Sequence, residues 1–231
     1  MTTTQTSTAT LTLHGREVTA RGSLDLLTIP GRVAITGSRA STPYGENIAN
    51  STAQMLAGRG VVTIASTAYG IDSAAVRGAL TADLGRIILV QPAGIDQTYP
   101  RGTAELAPAV EAHGGLILSM HTDPQGTPTR FDFLDAAALR GALAHHAIVV
   151  EGGVRSIARL TAKTCYSRWA VPGPITSAAS HLPHQLLREG ASVWTEEAAD
   201  ADKIAASTNE SHPYRGECLE LLNHRAYTPA S

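Results

Sequence analysis

Short apolar runs at 33–36, 61–65, 87–90, 116–118, 147–150 and 169–171 punctuate this chain, each followed by a gap long enough to hold a helix. That rhythm restricts the fold more than any single motif does. Runs of three to five mostly aliphatic residues, without polar alternation, suit strands buried on both faces. Parallel neighbours need crossovers, and the gaps carry helical patterns at 43–57, 71–82, 103–112, 134–144, 155–166 and 182–189. The sequence therefore predicts an α/β fold: a Rossmann-like, doubly wound, largely parallel sheet with helices on both faces.

The rhythm spans 31–194, which is read as one Rossmann-like domain. Residues 1–30 are expected to be a threonine-rich tail with a small hairpin or edge strand, since Leu11, Leu13 and Val18 alternate around His14-Gly15. Residues 195–231 read as an acidic, alanine-rich helix candidate followed by a polar tail. Hydrophobic residues at 43% suffice for a core, but only 4% of the chain is aromatic, so Ala, Val, Leu and Ile must fill it. Cys165 and Cys218 form neither a metal-binding repeat nor a disulfide framework, which points to a reducing, cytoplasmic setting. No signal peptide or apolar stretch of about 18 residues appears, so no membrane association is expected.

Loops at the carboxyl ends of parallel strands form ligand sites in open α/β sheets. After the first run come Gly37, Ser38, Arg39 and Ser41, then Thr42-Pro43, a helix start with a threonine cap and a proline that gives up no useful N–H. Free amides, the helix dipole and the Arg39 guanidinium together predict an anion pocket suited to phosphate. Gly37 alone is equally a scaffold turn. The next loop supplies Ser66, Gly70 and Asp72, although Asp72 also reads as an ordinary first-turn carboxylate. A third loop supplies Gly94, Tyr99 and Arg101, with Tyr99 able to stack on a base or simply fill the loop. A fourth brings Arg155 and Ser156. The net charge of −2 excludes a general basic coat, so nucleic-acid binding must use a local patch. Lys163 and Lys203 are the only lysines. Arginine therefore makes nearly every basic contact, as suits phosphate recognition and as GC-rich coding also produces.

Gly37-Ser-Arg39 with Thr42-Pro-Tyr-Gly45, Tyr69-Gly-Ile-Asp-Ser-Ala-Ala75, Gly94-Ile-Asp96, Tyr99-Pro-Arg101, Leu118-Ser119, Val149-Val-Glu151, Val171-Pro-Gly-Pro-Ile175 and Leu186-Leu-Arg-Glu-Gly-Ala191 together resemble the DNA-processing protein A (DprA/Smf) family, in its order and spacing. The resemblance runs from about Gly31 to Trp194. It implies a Rossmann-like core that binds single-stranded DNA, forms a homodimer or higher homo-oligomer, and helps load a RecA-type recombinase during natural transformation. The chain departs from the family pattern at Ala65-Ser-Thr-Ala-Tyr-Gly-Ile-Asp72, where a glycine and an arginine are replaced. The family's Arg-Asn-Arg motif falls on Asp135-Ala-Ala137, leaving Arg130 and Arg140 as the nearest arginines, and Ile157 stands where the family has glycine. Room for the helical and winged-helix domains of longer members is lacking.

Two other functions compete: a nucleotide-binding sensor, and a nucleotide phosphoribohydrolase of the related superfamily. The second resembles Gly152-Gly-Val-Arg-Ser-Ile-Ala-Arg159, but an arginine, which cannot serve as general acid or base, replaces the expected glutamate. Glu151 is then the lone catalytic candidate, and the reading leans against an enzyme. His181 and His184 lack a third ligand and His145-His146 reads as packing, so no metal and no cofactor are expected. Ser38, Ser41 and Ser66 have no triad partners in chain order.

Overall fold

The computed structural model describes residues 8–13, 15–83, 85–97 and 99–207. The start of the expected tail (1–7), the His14 turn position and the polar segment 208–231 with Cys218 lie outside the described residues. Two antiparallel strands, β1 (Thr8–Leu13) and β2 (Arg16–Gly22), open the described chain. The βα series follows: β3 (Arg32–Thr36), α1 (Pro43–Ala57), β4 (Val62–Ala65), α2 (Ile71–Leu80), β5 (Ile87–Gln91), α3 (Leu106–Ala112) and β6 (Leu116–Ser119). It continues with α4 (Arg130–Leu143), β7 (His146–Val149), α5 (Ala158–Thr164), β8 (Ser167–Ala170), α6 (His181–Arg188), β9 (Ser192–Val193) and α7 (Ala198–Ala205).

All the strands join one sheet in the order β1-β2-β6-β5-β4-β3-β7-β8-β9. From β6 to β9 every neighbouring pair is parallel, while β2 runs antiparallel to β6 and carries the hairpin as an added edge. The Rossmann-like expectation holds, and elements on both sides of 31–194 join its core. Along β1 the threonines face out while Leu11 and Leu13 pack inward, the alternation of a half-covered strand. At the far end α7 seats Ala201 and Ile204 against the same core as α1.

The central strands are buried on both faces, so their alternate residues feed two cores. Val33, Ile35, Leu89 and Ile117 meet α1, α2 and α3, whereas Ala34, Ile64, Ile88 and Leu118 meet Leu139 and Leu143 of α4. Val149 and Ala170 pack with α5 and α6. The side chains are small and aliphatic, as the composition requires, with Trp169 and Trp194 edge to face at 5.8 Å between ring centroids. No helix among the described residues is long and apolar enough to cross a membrane.

Some boundaries differ from the sequence reading. α4 begins at Arg130, four residues early, because Asp132 accepts from both the N–H (2.7 Å) and the hydroxyl (2.7 Å) of Thr129 and so fixes a helix start. α5 begins at Ala158 rather than 155, since Val154 to Ile157 form a turn whose Ser156 Oγ accepts from the Ala158 N–H at 3.4 Å. The helix expected over 103–112 is split into a short 3₁₀ turn, Arg101–Thr103, and α3.

Candidate functional site

Three strand-to-helix loops and one helix face enclose an open cleft at the carboxyl edge of β3, β4 and β5. The first loop, 37–41, lies against the N-terminus of α2: the Ser38 carbonyl accepts from the Ile71 N–H at 3.2 Å. Gly70 makes this approach feasible. Its φ of +74° suits glycine, and a Cβ there would fall 2.6 Å from Ser41 Oγ and 2.8 Å from the Arg39 carbonyl oxygen. The second and third loops are tied together, since Thr67 Oγ1 donates to the Tyr99 carbonyl at 2.6 Å and Thr103 Oγ1 to the Thr67 carbonyl at 2.6 Å. Tyr69 Oη accepts from the Gly102 N–H at 3.2 Å. These bonds leave Tyr69, Tyr99 and Pro100 as cleft walls.

The remaining wall is α4. Phe133, Ala136 and Arg140 are spaced by three and four residues, one face of a helix, and all line the cleft. Phe133 meets Tyr99 at 5.7 Å between centroids, and the Arg39 guanidinium lies 5.5 Å above the Phe133 ring, within cation–π range. Arg39 is exposed, and no described carboxylate pairs with it. No described acceptor takes the amides of Ser38, Arg39, Ala40 and Ser41.

Five of the expected site residues, Gly37, Arg39, Ser66, Asp72 and Tyr99, line this one cleft. Their roles divide. Asp72 is 4% exposed and accepts from Ser66 N (3.1 Å), Ser66 Oγ (2.8 Å), Thr36 Oγ1 (3.1 Å) and Arg140. Its carboxylate is thus used inside the protein, and it holds the floor rather than a phosphate. Gly94 lies outside the lining, its N–H bonded to the Gly126 carbonyl at 2.9 Å, and serves the contact with the 121–126 loop. Ser41 Oγ donates to Glu46 at 2.7 Å beside the rim. Arg101 and Arg155 are exposed on neighbouring loops, and Ser156 caps the turn before Ile157, which does line the cleft.

The expected use of the α1 dipole needs correcting. The Glu151 carboxylate already sits at that helix start, accepting from the Thr42 N–H at 2.9 Å and from Thr42 Oγ1 at 2.5 Å. Thr42 Oγ1 in turn accepts from the Gly45 N–H at 3.2 Å. The chain supplies its own anion there, which leaves the 38–41 amides and Arg39 as the donors of that loop without a described acceptor. The same contacts bind up Glu151, the one catalytic candidate of the phosphoribohydrolase reading, while Arg159 pairs with Glu189 at 3.5 Å. Among the described residues no cluster of His, Cys, Asp and Glu is arranged to hold a metal.

The sequence reading missed Phe133 as the aromatic floor under Arg39. Its signal was the 133, 136, 140 helical spacing. Of the positions on which the expected Arg-Asn-Arg motif falls, Asp135 pairs with Arg16 of β2 at 2.8 Å, and the adjoining Ala136 lines the cleft.

The profile of the DNA recombination-mediator protein A family matches residues 11–205 of this chain. The chain belongs to that family. Its DprA-type relative in Mycobacterium tuberculosis is 38% identical over 201 residues, covering 84% of this chain and 51% of that protein. Protein Smf of Escherichia coli is 32% identical over 169 residues, covering 71% of this chain and 45% of its own. This DprA-family chain therefore spans about half the length of those curated relatives. Among solved structures, Streptococcus pneumoniae DprA superposes with a TM-score of 0.73 at 29% identity, covering 83% of this chain and 66% of that one. Helicobacter pylori DprA, solved to explain its single-stranded DNA binding mode, superposes with a TM-score of 0.75 at 25% identity, covering 87% and 96%.

Proposed function

We propose that this cleft binds single-stranded DNA and that the chain acts as a non-enzymatic recombination mediator, handing the strand to a RecA-type recombinase during DNA uptake. One observation carries the reading: a carboxylate-free arginine, Arg39, stacks on Phe133 at the rim of an aromatic-walled cleft. Single-strand binders combine those elements, a cation for the backbone and π-faces for bases. Arg101, Arg130 and Arg155 are exposed and likewise lack a described carboxylate partner, and they supply further phosphate contacts. Membership of the family and the single-stranded DNA binding of the Helicobacter pylori relative support the same assignment.

About four phosphate contacts would make single-strand affinity fall roughly 50-fold between 50 and 200 mM salt. Arg39→Ala should weaken binding to different sequences alike and lower the salt slope by about one unit, since one fewer counterion is displaced. The thermal midpoint should barely move, because the side chain is exposed. Fluorescence anisotropy with labelled oligonucleotides across a salt series reads both quantities. An unchanged slope would make Arg39 structural, and a small nucleotide that stabilises a chain with no DNA affinity would favour a sensor instead.

The mediator reading includes self-association. Among the described residues β9 ends the sheet with two residues, and Val193 is half exposed there, an edge that a second copy could extend. Light scattering at micromolar concentration should give a mass above 24.1 kDa; a 24.1 kDa species throughout the range counts against it.

A further inference from the structure

Arg140 is only 4% exposed, yet its hydrogen-bonding capacity is largely unspent. One terminal nitrogen donates to Asp72, and Nε is sealed in the interior with no described partner. The other terminal nitrogen has no described partner and is not among the sealed atoms, and Arg140 lines the cleft. It therefore presents an N–H donor to the cleft floor. The neighbouring polar groups are already engaged: Asp72 accepts from four donors, Ser66 Oγ donates to it, and Thr67 Oγ1 donates to the Tyr99 carbonyl.

A ring that enters the cleft strips water from that donor, so a ligand that supplies an acceptor there is favoured over one that does not. Phosphate is a poor match for this position. Asp72 already neutralises the guanidinium, and the walls beside it are Pro92, Tyr99, Pro100, Phe133 and Ile157. A flat, neutral ring carrying a carbonyl matches both the walls and the donor. An amino group at that point would set N–H against N–H and leave Arg140 unpaired.

We propose that Arg140 reads the edge of an inserted base that carries the purine 6-substituent or pyrimidine 4-substituent, so that the bound strand is preferred where that substituent is a carbonyl, as in thymine and guanine. The inference rests on the single-stranded DNA reading above. Arg39 holds the backbone at the rim, while the Asp72–Arg140 pair selects the base below it. One net hydrogen bond corresponds to about a fivefold difference in affinity.

The test compares two labelled 20-nucleotide strands by anisotropy on the unaltered protein: all adenine, and adenine with every third base replaced by hypoxanthine. Hypoxanthine keeps the purine shape and exchanges the 6-amino group for a carbonyl. The hypoxanthine strand should bind about fivefold more tightly, and Arg140→Lys, which keeps the charge beside Asp72 but not the guanidinium fork, should bring the ratio close to one. Equal affinities in the unaltered protein, or an undiminished ratio in a folded Arg140→Lys, would overturn the base-reading role and leave strand binding intact. Binding of neither strand overturns both readings. If Arg140→Lys does not fold, the strand comparison on the unaltered protein decides alone.

Discussion

Arg140→Ala is expected to lower the unfolding free energy by about 3–5 kcal/mol, because it strands the Asp72 carboxylate in the interior. Both side chains are 5% exposed, so water cannot take over the lost bond. Ser66 and Thr36 would still donate to Asp72. They satisfy its lone pairs without balancing its charge. For a domain of this size the loss corresponds to a drop on the order of 10 °C in the thermal midpoint. Urea unfolding of Arg140→Ala, Asp72→Asn and the double variant would separate pairing from packing. The double variant should recover much of the loss, since removing both charges avoids the stranded one. A loss below about 1 kcal/mol for Arg140→Ala would mean that the pair is not what holds α4 to the cleft floor.

Gly70→Ala should disable the site more completely than loss of Arg39. At φ +74° and ψ −126° an alanine is strained by on the order of 1–3 kcal/mol. Its methyl group would also run into the carbonyl oxygens of Ser38 and Arg39, which are backbone and cannot swing aside. The 37–41 loop must then lift from α2, breaking the Ile71 N–H to Ser38 bond and carrying Arg39 off the Phe133 ring. Single-strand affinity is expected to fall at least tenfold, beyond the effect of Arg39→Ala, with a stability loss of about 2 kcal/mol. Anisotropy and thermal unfolding measure the two. Parental DNA affinity in a folded Gly70→Ala would show that the loop position is irrelevant to binding.

The fold was legible because both-face burial writes itself as uninterrupted apolar runs, and every run from Val33 to Val171 became a strand of the sheet. The loops were legible for the same reason, as each follows a run. Side-chain partnerships were not. Nothing near Asp72 in the sequence indicates Arg140, and nothing near Thr42 indicates Glu151, 109 residues away. Capping logic found the right helix start but assigned its positive end to a ligand, because sequence shows a donor set without showing which acceptor reaches it first. Phe133 was hidden because the sequence reading began that helix at 134, one residue past it, and so left it off the face that Ala136 and Arg140 share.

The bond between Asp72 and Arg140 joins positions 68 residues apart. During synthesis at roughly 5–20 residues per second, the early strands wait several seconds before α4 leaves the ribosome. Through that interval the apolar face of β3, β4 and β5 that α4 will cover, with Ala34, Ile64 and Ile88, has no lid, and the carboxylate beside it has no counter-charge. A nascent chain that stops before residue 130 would therefore leave that face uncovered. That is the state a holding chaperone would be expected to engage, and the state in which slow decoding over 120–140 would do the most harm.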